Sequence, residues 1–206
     1  IRATKRDRIL LSKFALRWKH EDGEVSARAR LCGKGCADPD LFELSFGRKT
    51  SSPTISQEGK AFVFQCTSSM RWPLAFGDVE GAFMCSDRLD RELYMEQPPG
   101  GIPGLDPEQL CVMLLPLYGI SDAPQRWHLK FHNTLLQCGF VSSKFDRCLY
   151  LLRNKKGELV GILGTHVDDC ATSGSGPEYD AAIRMLKQKL PFRRWREHSG
   201  DFCGAE

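Results

Sequence analysis

The stretch "GTHVDDCATSG", residues 164–174, sets two carboxylates side by side, Asp168 and Asp169, between the apolar run "LVGIL" and a segment rich in Thr, Ser and Gly. Aspartate is a common turn residue because its side chain accepts hydrogen bonds from nearby backbone N–H groups, so the pair reads first as a solvated hairpin tip. Like charges a few ångströms apart also repel, and a bound cation is what makes such a pair favourable. A third carboxylate is needed to choose between these readings. Asp78 ends "WPLAFGD", a short predicted strand with Leu74, Phe76 and Asp78 on one face, and the glycine after it permits a tight departure. Strands paired in one antiparallel sheet can bring such distant positions together. Three acids around one point can hold two divalent ions about 3.5–4 Å apart, which activates an attacking oxygen and neutralises a leaving phosphate.

Other candidate ligands are poorer. Cys32 and Cys36 in "LCGKGC" are the closest cysteine pair, and no second Cys or His pair lies nearby to complete a structural zinc site. His128 and His132 are four residues apart but lack an obvious third ligand, so they read as one half-exposed helix face. Nine cysteines, an odd number without a repeated spacing, imply free thiols in a reducing compartment.

The elements that must position the acids follow from periodicity. "ILLSKFALRWKHEDGEVSARARLCG" reads as two strands turning at "EDGE", and residues 46–59 read as a loop. "KAFVFQCTSSM" fits either a buried helix or a strand. A helix begins at "SDAP", with Ser121 or Asp122 as cap and Pro124 in its first turn; Trp127, Phe131 and Leu135 repeat along one face and Gly139 closes it. "DRCLYLLRNKKGELVGILGTHVDDCATSG" forms two hairpins turning at "NKKG" and "VDD". "EYDAAIRMLKQKL" is a second amphipathic helix with Ala182, Ile183, Leu186 and Leu190 inward. This order predicts an α+β fold, an antiparallel sheet layered by helices.

Composition narrows the partners. The 206 residues, 41% hydrophobic and 27% charged, can bury a core as one domain or two small lobes. No apolar run approaches the roughly 20 residues of a membrane span, and "IRATKRDRILL" lacks a signal-peptide pattern, so no membrane partner is expected and the chain is read as intracellular, cytoplasmic or nuclear. Its first residue, Ile1, and its ending "DFCGAE" suggest a piece of something longer. Residues 1–50 hold 12 Lys/Arg against 7 Asp/Glu, whereas residues 51–150 hold 8 against 11. A basic first segment suits an anionic partner and an acidic middle suits a cation, although a basic stretch is often only a solvated face.

"GDVEGAFMCSDRLDRELYMEQPPG", "LYGISDAPQRWHLKFHNTLLQCGF" and "HVDD" resemble successive blocks of the copia-type retrotransposon reverse transcriptase, the polymerase segment of a Pol polyprotein. The similarity runs from "LRWKHEDGEVSARARL" through "SPTIS" to "DFCG". The resemblance implies a fingers-and-palm unit with the thumb largely absent: a fingers-like basic hairpin and loop over about residues 1–60, then a palm-like region over about 61–206 with an antiparallel palm sheet. It implies an RNA-directed DNA polymerase, a nucleotidyltransferase using two magnesium ions, with manganese as an alternative. The substrates would be dNTP and a primer on an RNA or DNA template, and the remainder of the Pol polyprotein would be a further partner. Asp78 matches the family's first metal-binding aspartate, and Asp168 and Asp169 its YVDD-like pair. Phe83 falls where the family keeps an aromatic that crowds the sugar 2′ position; an apolar helix residue is an equal reading. Arg28, Arg30 and Lys34 lie on the fingers-like hairpin, where cations would meet the triphosphate, without a choice among the three.

Three positions depart from the family pattern: His166 for a Tyr, Asp122 for a common Gln and Gln125 for a common Arg. An acid at 122 near a triphosphate would be repulsive unless it points away as a helix cap. Two rival classes fit the same acids. One is a catalytically inactive remnant that at most binds nucleic acid, the other a metal-dependent nuclease or a calcium-binding fold.

Overall fold

A computed structural model describes every residue except Asp22, Arg48, Asp201 and residues 204–206, and only the backbone of His20 and Glu21. In chain order the strands and helices are β1 (Ile9–Leu10), β2 (Ser12–Glu21), β3 (Glu24–Gly33), α1 (Leu41–Phe46), α2 (Gln57–Met70), β4 (Leu74–Val79), β5 (Tyr94–Met95) and β6 (Cys111–Val112). They continue with α3 (Ala123–Gln137), β7 (Val141–Ser142), β8 (Leu149–Arg153), β9 (Leu159–His166), β10 (Asp169–Gly174), α4 (Pro177–Lys189) and β11 (Phe192–Glu197). In the structure the chain crosses between two compact units three times, residues 1–51 and 86–126 forming the first and 52–85 and 127–206 the second.

In the second unit, six antiparallel strands pair in the order β11-β4-β10-β9-β8-β7. Helices cover both faces. Trp127, Phe131 and Leu135 of α3 and Ala182, Ile183 and Leu186 of α4 pack on Leu163 and Cys170. Val63 of α2 packs with Ile162, Ala171 and Phe76 in a separate cluster. Successive residues of β9 and β10 therefore enter opposite cores, which is why "LVGIL" is apolar throughout instead of alternating. Each buried Trp, Phe or Leu contributes roughly 1.5–3 kcal/mol, so the α3 stripe fixes which helix face turns inward. The segment that fitted helix or strand is the helix α2. It starts inside the expected loop because the Ser56 hydroxyl accepts from Gly59 N–H at 2.9 Å, while Asp146 accepts from the Ser56 N–H and hydroxyl at 2.8 Å each. The helix α4 carries Glu178 and Asp180 in its first turn and Lys187 and Lys189 in its last, complementing its dipole.

The first unit holds a three-stranded sheet, β1-β5-β6, and the two-stranded ribbon β2-β3. The expected turn at "EDGE" includes Asp22, outside the described residues, but the ladder itself runs from Ser12 opposite Gly33 to Glu21 opposite Glu24. Arg91 organises this unit's interior. Its guanidinium donates to both Asp38 oxygens at 2.6 and 2.7 Å, to Asp40 at 3.0 Å and to Asp122 at 2.8 Å. Arg126 donates to the other Asp122 oxygen at 2.6 Å. Asp122 thus meets two arginines, which explains how a buried acid is tolerated just before α3. Among the described residues no helix is long and apolar enough to cross a membrane.

Candidate active site

Register brings the acids together. In the β10-β4 ladder Asp169 stands directly opposite Asp78, and on its other side it stands opposite His166 of β9. Asp78 alternates with Phe76 and Asp169 with Ala171, so both side chains lie on the sheet face that α2 covers farther along. Asp168 belongs to the turn itself, and its carbonyl accepts from Val79 N–H at 3.0 Å. Burial first, then the negative charges of Asp168 and Asp78, push the Asp169 carboxyl up from 3.8 to about 6, with Arg193 opposing them. Asp169 therefore feels both of the other carboxylates.

The turn holding them is strained and pinned. Val167 has φ +55°, a left-handed conformation that crowds its β-branched side chain. Its carbonyl accepts from Nε1 of the fully buried Trp127 at 2.6 Å. The inward face of α3 thus reaches the acidic turn by a hydrogen bond as well as by packing. His166 Nδ1 is buried without a hydrogen-bond partner.

A basic residue outside the expected set completes the cluster. Arg193 Nη2 lies 2.5 Å from Asp78 Oδ2. The run "FRRWRE" offered three arginines, and Arg193 is the one left over where the β11-β4 register shifts. Carboxylate oxygens are the donors that hard divalent cations prefer. Among the described residues, however, no three His, Cys, Asp or Glu side chains are arranged to hold an ion, and Arg193 takes one Asp78 oxygen. The donor set fits divalent metal in chemistry, with an arginine already on one of its members.

Phe83 lies on a single 3₁₀ turn, Ala82–Cys85, just beyond β4, half-buried against the α3/α4 core. Arg28 and Arg30 are exposed on β3, and Lys34 follows the strand's end. Cross-strand pairing sets Arg28 opposite Arg17 and Arg30 opposite Ala15, so Lys13, Arg17 and Lys19 share their face. Period-two alternation along "KFALRWK" could have found those three. The other ribbon face carries Phe14, Leu16 and Trp18, which are 43%, 78% and 68% exposed. The Arg30 guanidinium lies 5.0 Å from the Tyr118 ring centroid. His128 and His132 lie side by side along α3 with tilted rings whose centroids are 6.1 Å apart, and His132 Nδ1 sits 3.1 Å from the Tyr150 hydroxyl, a packing role.

Carboxylates gathered where a helix-packed antiparallel sheet turns supply the donor chemistry of metal-dependent nucleotidyl transfer. Residues 3–196 match the profile of the family described as "Reverse transcriptase (RNA-dependent DNA polymerase)", and the chain belongs to that family as a copia-type segment. It is 31% identical over 159 residues to "Retrovirus-related Pol polyprotein from transposon RE1" of Arabidopsis thaliana, covering 77% of this chain and 10% of that protein. It is 28% identical over 173 residues to "Retrovirus-related Pol polyprotein from transposon TNT 1-94" of Nicotiana tabacum, covering 82% of this chain and 13% of the relative. The chain thus spans about a tenth of the length of these Pol polyproteins.

Proposed function

We propose that the chain is the nucleotidyl-transfer core of an RNA-directed DNA polymerase, adding a deoxynucleotide from dNTP to a primer 3′-hydroxyl on an RNA or DNA template. The observation that carries this is the register setting Asp169 opposite Asp78 with Asp168 in the adjoining turn. The second unit acts as palm and the first as fingers. The remainder of a Pol polyprotein is a further partner, and the setting is inside the cell, cytoplasmic or nuclear. Asp78, Asp168 and Asp169 hold the two divalent ions, magnesium or manganese. Such ions, when bound, lower the cost of ionising the attacking hydroxyl and neutralise the departing pyrophosphate.

The chain's own groups do the rest. Trp127 holds the strained turn, so Asp168 and Asp169 are positioned before substrate arrives, and a pre-positioned site loses less entropy on binding. Asp169, at about 6, is mainly ionised at neutral pH and available as a ligand. Phe83 lies beneath the incoming sugar and disfavours a 2′-hydroxyl by a clash. Arg28, Arg30 and Lys34 offer the cations that meet phosphates.

Primer extension by the purified chain, with magnesium and separately with manganese, tests this reading. Extension should occur and should disappear in Asp78→Asn and Asp168→Asn variants that keep the wild-type far-UV spectrum. Absence of incorporation with either ion, while primer–template is still bound, would instead favour the inactive remnant.

A further inference from the structure

The edge strand β11 does not pair evenly with β4. Phe192 stands opposite Val79 and Arg194 opposite Asp78, so the register shifts and Arg193 is the extra residue. A bulge of this kind re-aims one side chain, and here the guanidinium lands on Asp78. The strand beneath it is well anchored. Phe192 and Trp195 meet edge to face with centroids 5.1 Å apart, and both lie over Gly77, where a Cβ would come within 2.7 Å of Phe192 and 2.9 Å of Trp195. Pro191 O accepts from Glu80 N–H at 2.8 Å. The Arg193 side chain is 38% exposed and Asp78 23% exposed, so the head can leave the acid while its backbone stays in place.

We infer that Arg193 is a tethered counter-cation that competes with a divalent ion for Asp78 and so sets the metal concentration at which the site loads. This rests on the reading of the acids as metal ligands. Three carboxylates in one neighbourhood repel, and an arginine at one of them relieves part of that repulsion without any bound ion. A metal taking the same Asp78 oxygen must displace the guanidinium, which stays protonated at all working pH values. Loading is therefore opposed by a fixed charge on the chain. Because the pair is part-exposed, the opposition is modest, about fivefold in apparent affinity.

Manganese titration followed by the electron paramagnetic resonance signal of free Mn²⁺, at fixed pH and ionic strength, tests this without any turnover. Asp78→Asn should bind manganese more weakly than the wild-type chain. Arg193→Gln should tighten binding about fivefold, Arg193→Lys should stay within about twofold of wild type, and the gain from Arg193→Gln should shrink to less than about twofold once Asp78 is Asn. Arg193→Ala serves as a second neutral variant, with melting curves to confirm folding of each. If the neutral variants bind manganese no more tightly than wild type while Asp78→Asn still weakens binding, Arg193 is not a competitor and the metal-site reading stands. If neither wild type nor the neutral variants show Asp78-dependent binding, both readings fall.

Discussion

Replacing Asp169 by Asn keeps the shape of the side chain and removes one of three neighbouring negative charges. Wild-type Asp169 has its carboxyl raised from 3.8 to about 6, chiefly by burial and then by Asp168 and Asp78. A raised carboxyl binds its proton more tightly when folded. Its contribution to stability is thus fully present below about pH 4 and is lost as pH rises through about 6. At about 1.4 kcal/mol per tenfold change, the ionised group costs at most about 3 kcal/mol above pH 7. Because the side chain is only half-buried, solvent screening reduces this to about 1–1.5 kcal/mol. A chain of this size melts about 2–4 °C higher per kcal/mol gained. Asp169→Asn should therefore melt roughly 2–5 °C above wild type at pH 8 in EDTA, with the gap closing toward pH 4. Circular dichroism melts at several pH values measure this. A variant that melts at or below wild type at pH 8, or a gap that ignores pH, would refute the linkage of these carboxylates. Added manganese should raise the wild-type midpoint and leave the variant's nearly unchanged, because ligands stabilise only the state that binds them.

Trp127→Phe keeps a buried ring but deletes the donor to Val167 O, so it should cost roughly 1–3 kcal/mol and speed amide exchange across residues 166–170. Phe83→Ala should raise the ratio of ribonucleotide to deoxynucleotide insertion, and its stability loss should fall below the roughly 3–5 kcal/mol of a fully buried ring. An unchanged ratio in a folded variant removes Phe83 from the site. Arg28→Ala with Arg30→Ala should weaken primer–template binding and flatten its logarithmic salt dependence by up to about 2, one counterion for each lost phosphate contact. Arg91→Ala should cost about 3–5 kcal/mol in urea denaturation, because it takes the guanidinium from Asp38, whose side chain is 0% exposed, and leaves the equally buried Asp122 with Arg126 alone.

Periodicity carried much of the fold. The four-residue spacing of Trp127, Phe131 and Leu135 and the stripe through Ala182, Ile183 and Leu186 identify α3 and α4 because an amphipathic helix must bury one face. "NKKG" and "VDD" mark the β8-β9 and β9-β10 turns because turn residues have local reasons to be there. The family blocks also mark Asp78, Asp168 and Asp169 in the sequence. Local pattern is silent where the contacts are distant. Strands of two residues, such as β1, β5, β6 and β7, have no period to read. Nothing in "FRRWRE" says that Arg193 is the arginine displaced by a bulge, since the shift exists only against β4. Asp122 reads as a helix cap by itself; its pairing with Arg126, four residues on, is local, and only the fold brings it Arg91 from another part of the chain. The sequence by itself determined which residues carry charge and which helix faces turn inward. Tertiary structure alone decided that Asp169 faces Asp78 and that Arg193 sits on it, because strand register is set by the packing of a whole sheet between two helical layers.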